Sequence, residues 1–372
     1  MSTHKPFERQ NVCLRPRTLL RSLVLSLFLI IFSGCSASPQ QTEKTVQAYE
    51  VSWFQYFDTL IQVTAYADSE AEFQTLARLI ETETSIWNRL LDNYHAYSGV
   101  NNIYTLNQKA GTTAVEVDQR IIDILQFGQD MHSKTLGKTN IAMGSLTQLW
   151  QTYRDDARSR EDMQGELPEA EELQKASSHV DLSQLIIDDD KNLVRFKDPL
   201  LKLDLGSIAK GYVTESLKQL LLSKGYDNIL LNWGGNLQTI GAKEDGTPWR
   251  LGVKNPFENP NAADQELIKV ILASKQSVVT SGNYERFYWV GEQKLHHIID
   301  PDTAYPSELY AQVTIISENS AWGDALSTAL FSLPLDDAEA VLKAFPQTAA
   351  CWVLPNGSIV TSSAWAALAK EG

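Results

Sequence analysis

The chain has 372 residues, 43% hydrophobic and 21% charged, with 46 acidic side chains against 32 basic ones. That length supports a substantial core, and a formal charge of −14 argues against nucleic acid as a partner. Three cysteines are too few for a dense disulfide framework.

A basic stretch with Arg15, Arg17 and Arg21 precedes the apolar run LVLSLFLIIF, which is followed by Ser33, Gly34 and Cys35. The run is short for a bilayer span and suits the apolar region of a secretory signal. Its end, FSGC, resembles the lipobox of bacterial lipoproteins. Residues 1–34 are therefore read as a signal peptide and Cys35 as the lipidated new N-terminus. This places the protein in the bacterial cell envelope, membrane-anchored and facing the periplasm; an uncleaved signal anchor is the alternative. Residues 36–50 are polar and aperiodic, so 35–50 reads as a lipidated tether and 51–372 as one folded domain. Cys13 leaves with the signal and Cys35 takes lipid. Cys351, in the apolar run AACWVL, then has no disulfide partner and reads as a small buried hydrophobe.

TLIQVTAY alternates as a strand does, and Phe73, Leu76, Ala77, Ile80, Thr84 and Trp87 then recur at helical spacing. Asp118 reads as the N-cap of a helix burying Ile121, Ile122 and Leu125. Residues 151–178 carry many charges and few core candidates, which predicts a solvated excursion. LIIDDDKNLVRF reads as a hairpin. LLKLDL reads as a strand leading into a helix with Ile208, Ala209, Tyr212, Val213, Leu217, Leu220 and Leu221 on its apolar face. Strands follow at NILLNW, WRLGV, LIKVILA, SVVTS, RFYWV and AQVTIIS. SAWGDALSTALFSL returns to helix, Asp336 reads as the cap of another, and CWVL with GSIVTS closes as a hairpin. No regular βαβ repeat appears, so the class is α+β: a single large domain with mostly antiparallel sheets and packed helices.

At the junction DLGSIAKGY two chemistries compete. Ser207 and Lys210 stand three apart, as in penicillin-recognising serine acyltransferases, and Ser281-Gly282-Asn283 would supply their second element. The third element, Lys-Thr-Gly or Lys-Ser-Gly on a following strand, is missing from the sequence after Asn283. In the other reading Asp204 ends a strand, Gly206 permits a tight turn, and the first helical amides join Lys210 around a phosphate. The spacing matches neither the P-loop nor the dinucleotide fingerprint. Downstream, Gly234 and Gly235 permit close backbone approach to a ligand. Asp324, Ser327 and Thr328 share one helical face at i, i+3 and i+4. Such hard oxygens suit Mg²⁺ rather than zinc, although a capping Asp beside core-facing hydroxyls is the commoner use.

DLGSIAKGY, NWGGN, TSGNYERF, HIIDPDTAYP and DALSTAL stand in that order, with FDTLIQVTAY ahead of them. From about Phe54 to the C-terminus the chain thereby resembles the ApbE family, the FAD:protein FMN transferases. The resemblance implies a domain that takes FAD as substrate and uses Mg²⁺ to move the FMN half onto a threonine hydroxyl of an acceptor protein, releasing AMP. It implies FAD contacts from Tyr97, Met143, Gly144, Ser145, Asp204, Lys210, Thr280 and Ile298. Ser207, through its backbone oxygen, and Asp324 and Thr328 are implied at the metal, with Ser327 beside them. His297 is implied as the general base, with His296 facing the opposite side. The implied acceptor is an exported or membrane flavoprotein of a respiratory redox complex. Two departures stand out: Phe57-Asp58-Thr59 replaces the family's Met-Gly-Thr, and Ala304 replaces a glycine. Hydrolysis of FAD to FMN and AMP, or flavin binding without turnover, are the competing functions.

Overall fold

A computed structural model describes residues 46–257 and 266–372; the predicted signal peptide and Cys35 lie outside the described residues. TLIQVTAY becomes β2 (Ile61–Ala67), buried at every second residue and paired antiparallel with β1 (Gln47–Trp53). β1 begins inside the stretch read as tether, because Tyr49 and Val51 turn one side of it onto the core. α1 (Glu70–Leu91), capped by Ser69, buries Phe73, Leu76, Ala77, Ile80, Thr84 and Trp87 as the spacing predicts. α2 (Ile103–Gln108) and β3 (Val115–Glu116) lead to α3 (Gln119–Lys134), where the Asp118 carboxylate accepts the Arg120 N–H as its cap.

The charged stretch departs from expectation. α4 (Gly144–Arg158) continues for two turns past Trp150, and α5 (Ala170–Ser177) starts at a reciprocal cap between Glu169 and Glu172. The inward positions of α4 are Gly144, Leu146, Trp150, Arg154 and Ala157. An arginine in a core-facing slot breaks the apolar periodicity that would have announced the helix. β4 (Leu185–Asp188) and β5 (Leu193–Phe196) form the expected hairpin. LLKLDL makes only one parallel bridge, Lys202 to Met143, so it is an extended connection rather than a strand.

The remaining elements are α6 (Ala209–Ser223), β6 (Ile229–Trp233), β7 (Asn236–Ile240), β8 (Trp249–Lys254), β9 (Leu267–Ala273), β10 (Ser277–Gly282), β11 (Phe287–Val290) and β12 (Gln293–His296). They are followed by β13 (Gln312–Ser317), α7 (Ser320–Ala329), α8 (Leu335–Leu342), β14 (Thr348–Val353), β15 (Ile359–Thr361) and α9 (Trp365–Leu368). Pro334 takes the cap position of α8, which leaves Asp336 in its first turn, where a carboxylate still favours the helix dipole.

One eight-stranded sheet runs in the order β1-β2-β6-β7-β10-β13-β14-β15, antiparallel at every pairing. This is the antiparallel α+β class the sequence predicts. α1, α6 and α7 pack on one face, and the β8–β9 hairpin with α9 covers part of the other through Trp249, Leu251, Ile271 and Trp365. β13 and β14 are therefore buried at every residue while β2 alternates. Cys351, in β14, is free and buried, and burial pushes its thiol up to about 11, so it is an unreactive packing residue. A third cluster joins α4 and α5 to β11 and β12 through Leu146, Trp150, Leu173, Tyr288 and Leu295.

Candidate functional site

The first turn of α6 has no side-chain cap of its own, since Ile208 occupies the cap position. Asp204 shapes the approach: its Oδ1 accepts the Gly206 N–H at 2.8 Å and its Oδ2 accepts the Thr147 hydroxyl at 2.6 Å. The cap arrives from another helix. Asp324 of α7 accepts the Gly211 N–H on Oδ2 at 2.7 Å, which requires the helices to touch. A Cβ at Gly211 would lie 2.4 Å from both the Asp324 Cβ and the Ser320 carbonyl oxygen, so only glycine fits. Asp324 is 3% exposed. Burial raises its carboxyl above the ordinary range, opposed by Lys210, whose Nζ stands 3.8 Å from Oδ1, and by the Gly211 N–H.

Thr328, one turn beyond Asp324, is half-buried, and its hydroxyl bonds to no described residue. Ser327 differs from expectation: its hydroxyl donates to the Asp324 carbonyl at 2.9 Å and meets the Ser281 hydroxyl at 2.8 Å, so it braces α7 against β10. Ser207 sits half-buried in the turn before α6. Its hydroxyl has no base beside it: Lys210 is directed to Asp324, which removes the acyltransferase reading. Among the described residues no cluster of three His, Cys, Asp or Glu side chains exists. The buried Asp324 carboxylate and the free Thr328 hydroxyl fit a hard cation that draws its other ligands from backbone and bound phosphate, the habit of Mg²⁺.

His296 and His297 part company as an extended segment requires. His296 is 5% exposed; its Nε2 donates to the Ser307 carbonyl at 2.8 Å and its Nδ1 accepts the Ile298 N–H at 3.2 Å. It is thus a structural anchor. His297 is half-buried, yet its Nδ1 is wholly buried and unpartnered. Burial holds this imidazole well below its ordinary range, reinforced by His296, Arg286, Arg154 and Lys210. Asp300 does not hold it; that carboxylate pairs with Lys138.

One face of α4 completes the pocket. Thr147 reaches Asp204, Gln151 accepts the Tyr94 hydroxyl at 2.9 Å, and Arg154 follows on the same side. Tyr94 is exposed, with its hydroxyl under the influence of Asp204, Arg286 and Arg154. Tyr97 donates to Asp92 at 2.8 Å beneath the Arg89 guanidinium, and the same carboxylate accepts the Tyr94 N–H. Gly144 is needed where its N–H meets the Lys202 carbonyl, which a Cβ would approach to 2.6 Å. Met143 is buried in the third cluster, and the Ser145 hydroxyl is committed to the Leu200 carbonyl at 2.7 Å. Thr280 shares a 2.9 Å hydrogen bond with Thr314. Ile298 is buried in the main core with both backbone groups bonded, its N–H to His296 and its carbonyl to Ser307.

The structure thus gathers Asp204, Lys210, His297 and Asp324, with Thr328 adjacent, and adds Tyr94, Arg154 and Arg286. Arg154 was hidden because its segment reads as solvated; Arg286 was visible in TSGNYERF without a role. Phe57 and Asp58, at φ 54° and 49°, hold the left-handed turn beside the pocket. There the Phe57 N–H donates to Asn88, its ring packs on Trp233, and Asp58 meets Arg286 at 3.5 Å. Ala304 adopts φ 62°, so the turn is kept despite the missing glycine, and its carbonyl accepts the Trp150 indole N–H at 2.8 Å.

Fold and side chains define an antiparallel α+β protein in which Lys210, Arg154 and Arg286 act on a buried histidine close to a buried carboxylate. The chain belongs to the ApbE family, whose model matches residues 57–352. A FAD:protein FMN transferase of Klebsiella pneumoniae is 32% identical over 70% of this chain and 77% of its own. One of Treponema pallidum is 30% identical over 69% and 72%. The ApbE crystal structure from Thermotoga maritima, at 28% identity, superposes with a TM-score of 0.74 over 87% of this chain and all of the other.

Proposed function

We propose that this protein is a flavin transferase that moves the FMN half of FAD onto a threonine hydroxyl of an acceptor protein, releasing AMP. The carrying observation is that Lys210, Arg154 and Arg286 all act on the buried, unpartnered imidazole of His297, with Lys210 3.8 Å from buried Asp324. Cations in that number suit a pyrophosphate, whose negative charge would offset them and restore basicity to a histidine that they and burial hold unprotonated near neutral pH. The threonine Oγ bonds to the flavin-side phosphorus and its proton passes to the His297 imidazole. The bond from that phosphorus to the bridging oxygen breaks, and AMP departs with the oxygen. Positioning and charge neutralisation supply most of the rate in such a displacement. Mg²⁺, held by Asp324, Thr328 and the Ser207 backbone oxygen, would neutralise charge on the pyrophosphate.

The names of the relatives support the same reading. The acceptor fits an exported or membrane flavoprotein of a respiratory redox complex, reached by an enzyme anchored in the cell envelope through lipid on Cys35; Cys35→Ala is expected to release it from membranes on fractionation. The deciding experiment is incubation with FAD, Mg²⁺ and a threonine-bearing acceptor, read by intact-protein mass. An FMN adduct with stoichiometric AMP supports transfer; free FMN and AMP without adduct replace it with hydrolysis.

A further inference from the structure

Among the described residues Arg154 is the least explained charge. It is 9% exposed, its Nε is buried without a partner, and its guanidinium forms no hydrogen bond or ion pair with any described residue. A buried charge without a hydrogen-bonded partner is strongly unfavourable, and the through-space pull of Asp155 leaves its donors unfilled, so its retention calls for a bound anion. Its direction is set by α4, whose same face carries Thr147, bonded to Asp204, and Gln151, bonded to Tyr94. A second buried orphan, the Nδ1 of His297, belongs to a ring on which the Arg154 charge acts. The other cations there are partly satisfied, Lys210 by Asp324 at 3.8 Å and Arg286 by Asp58 at 3.5 Å.

We infer that Arg154 is a phosphate-binding residue of this pocket, its guanidinium holding the flavin-side phosphate, the group that stays with the flavin through transfer. This assignment rests on the flavin-transfer reading above. The planar fork of arginine matches two phosphate oxygens at once, which a lysine cannot do. The phosphate beside the base is the one under attack, and Arg154 acts on that same base. The guanidinium then neutralises oxygens whose charge redistributes in the displacement, and it orients the phosphorus toward the acceptor hydroxyl.

The test compares wild type, Arg154→Met and Arg154→Lys for FMN and riboflavin binding by flavin fluorescence, alongside melting without ligand. Wild type is expected to prefer FMN. Arg154→Met is expected to lose about tenfold or more in FMN affinity with riboflavin affinity unchanged, and Arg154→Lys to fall between. Without ligand, Arg154→Met should melt no lower than wild type, since it removes an unpaired buried charge, whereas a merely structural arginine would destabilise the fold when lost. An unchanged preference for FMN in Arg154→Met overturns the assignment and leaves the transferase reading standing. Wild type that binds neither of these flavins nor FAD overturns both.

Discussion

Asp324 carries two duties that its substitutions should separate. As a helix cap it satisfies the Gly211 N–H at 2.7 Å, in a position only 3% exposed. Asp324→Ala strands that donor, at about 1–3 kcal/mol for a buried unsatisfied N–H. The loss of Lys210 as a partner adds little, because its side chain is 30% exposed and can turn to water. Near 2 kcal/mol in a domain of this size lowers the melting temperature by about 3–4 °C. Asp324→Asn keeps an oxygen for Gly211 and removes the buried charge, so melting should stay within about 2 °C of wild type. Its flavin transfer should nevertheless fall by about 10³-fold, the worth of several kcal/mol of metal-borne charge stabilisation. Thermal unfolding and Mg²⁺-titrated transfer rates measure the two effects. An Asn variant with rate and Mg²⁺ response close to wild type would reduce Asp324 to a cap, and an Ala variant as stable as the Asn one would remove the cap.

Three further outcomes follow from the geometry. His297→Asn should lose transfer by about 10²–10⁴-fold while flavin affinity changes little; equal losses of both would make it a binding residue. His296 is neutral in the fold, its pKa pushed down to about 4 by burial against an ordinary 6.5. Between these values the unfolded chain takes up a proton that the folded one refuses. Its contribution to stability is therefore lost as pH falls from about 6.5 to 4, by about 3 kcal/mol across the interval, and His296→Gln should flatten that part of a melting-versus-pH profile. Ala304 holds φ 62° at a cost of about 1–2 kcal/mol, part of which glycine would return as chain entropy. Ala304→Gly should thus raise stability by about 0.5–1 kcal/mol in denaturant unfolding, and no gain would mean the turn is unstrained.

The amino-acid sequence by itself determined what depends on local period and local chemistry. The α1 stripe from Phe73 to Trp87, the Asp118 cap, the β4–β5 hairpin and the alternation of β2 all stand where spacing puts them, because helix and strand periods act over neighbouring residues. Family motifs likewise marked Asp204, Lys210, His297 and Asp324. Tertiary structure alone decided which of the marked polar groups are free. Ser327, Ser145 and Tyr97 are bonded within the protein, to Ser281 and the Asp324 carbonyl, to the Leu200 carbonyl and to Asp92. It also brought Asp324 over the end of α6, 113 residues from its partner Gly211, and turned Arg154 from a segment that looks solvated into the pocket. A hydrogen bond across that separation leaves no periodic trace, and an arginine in a core-facing slot erases the one its helix would have left.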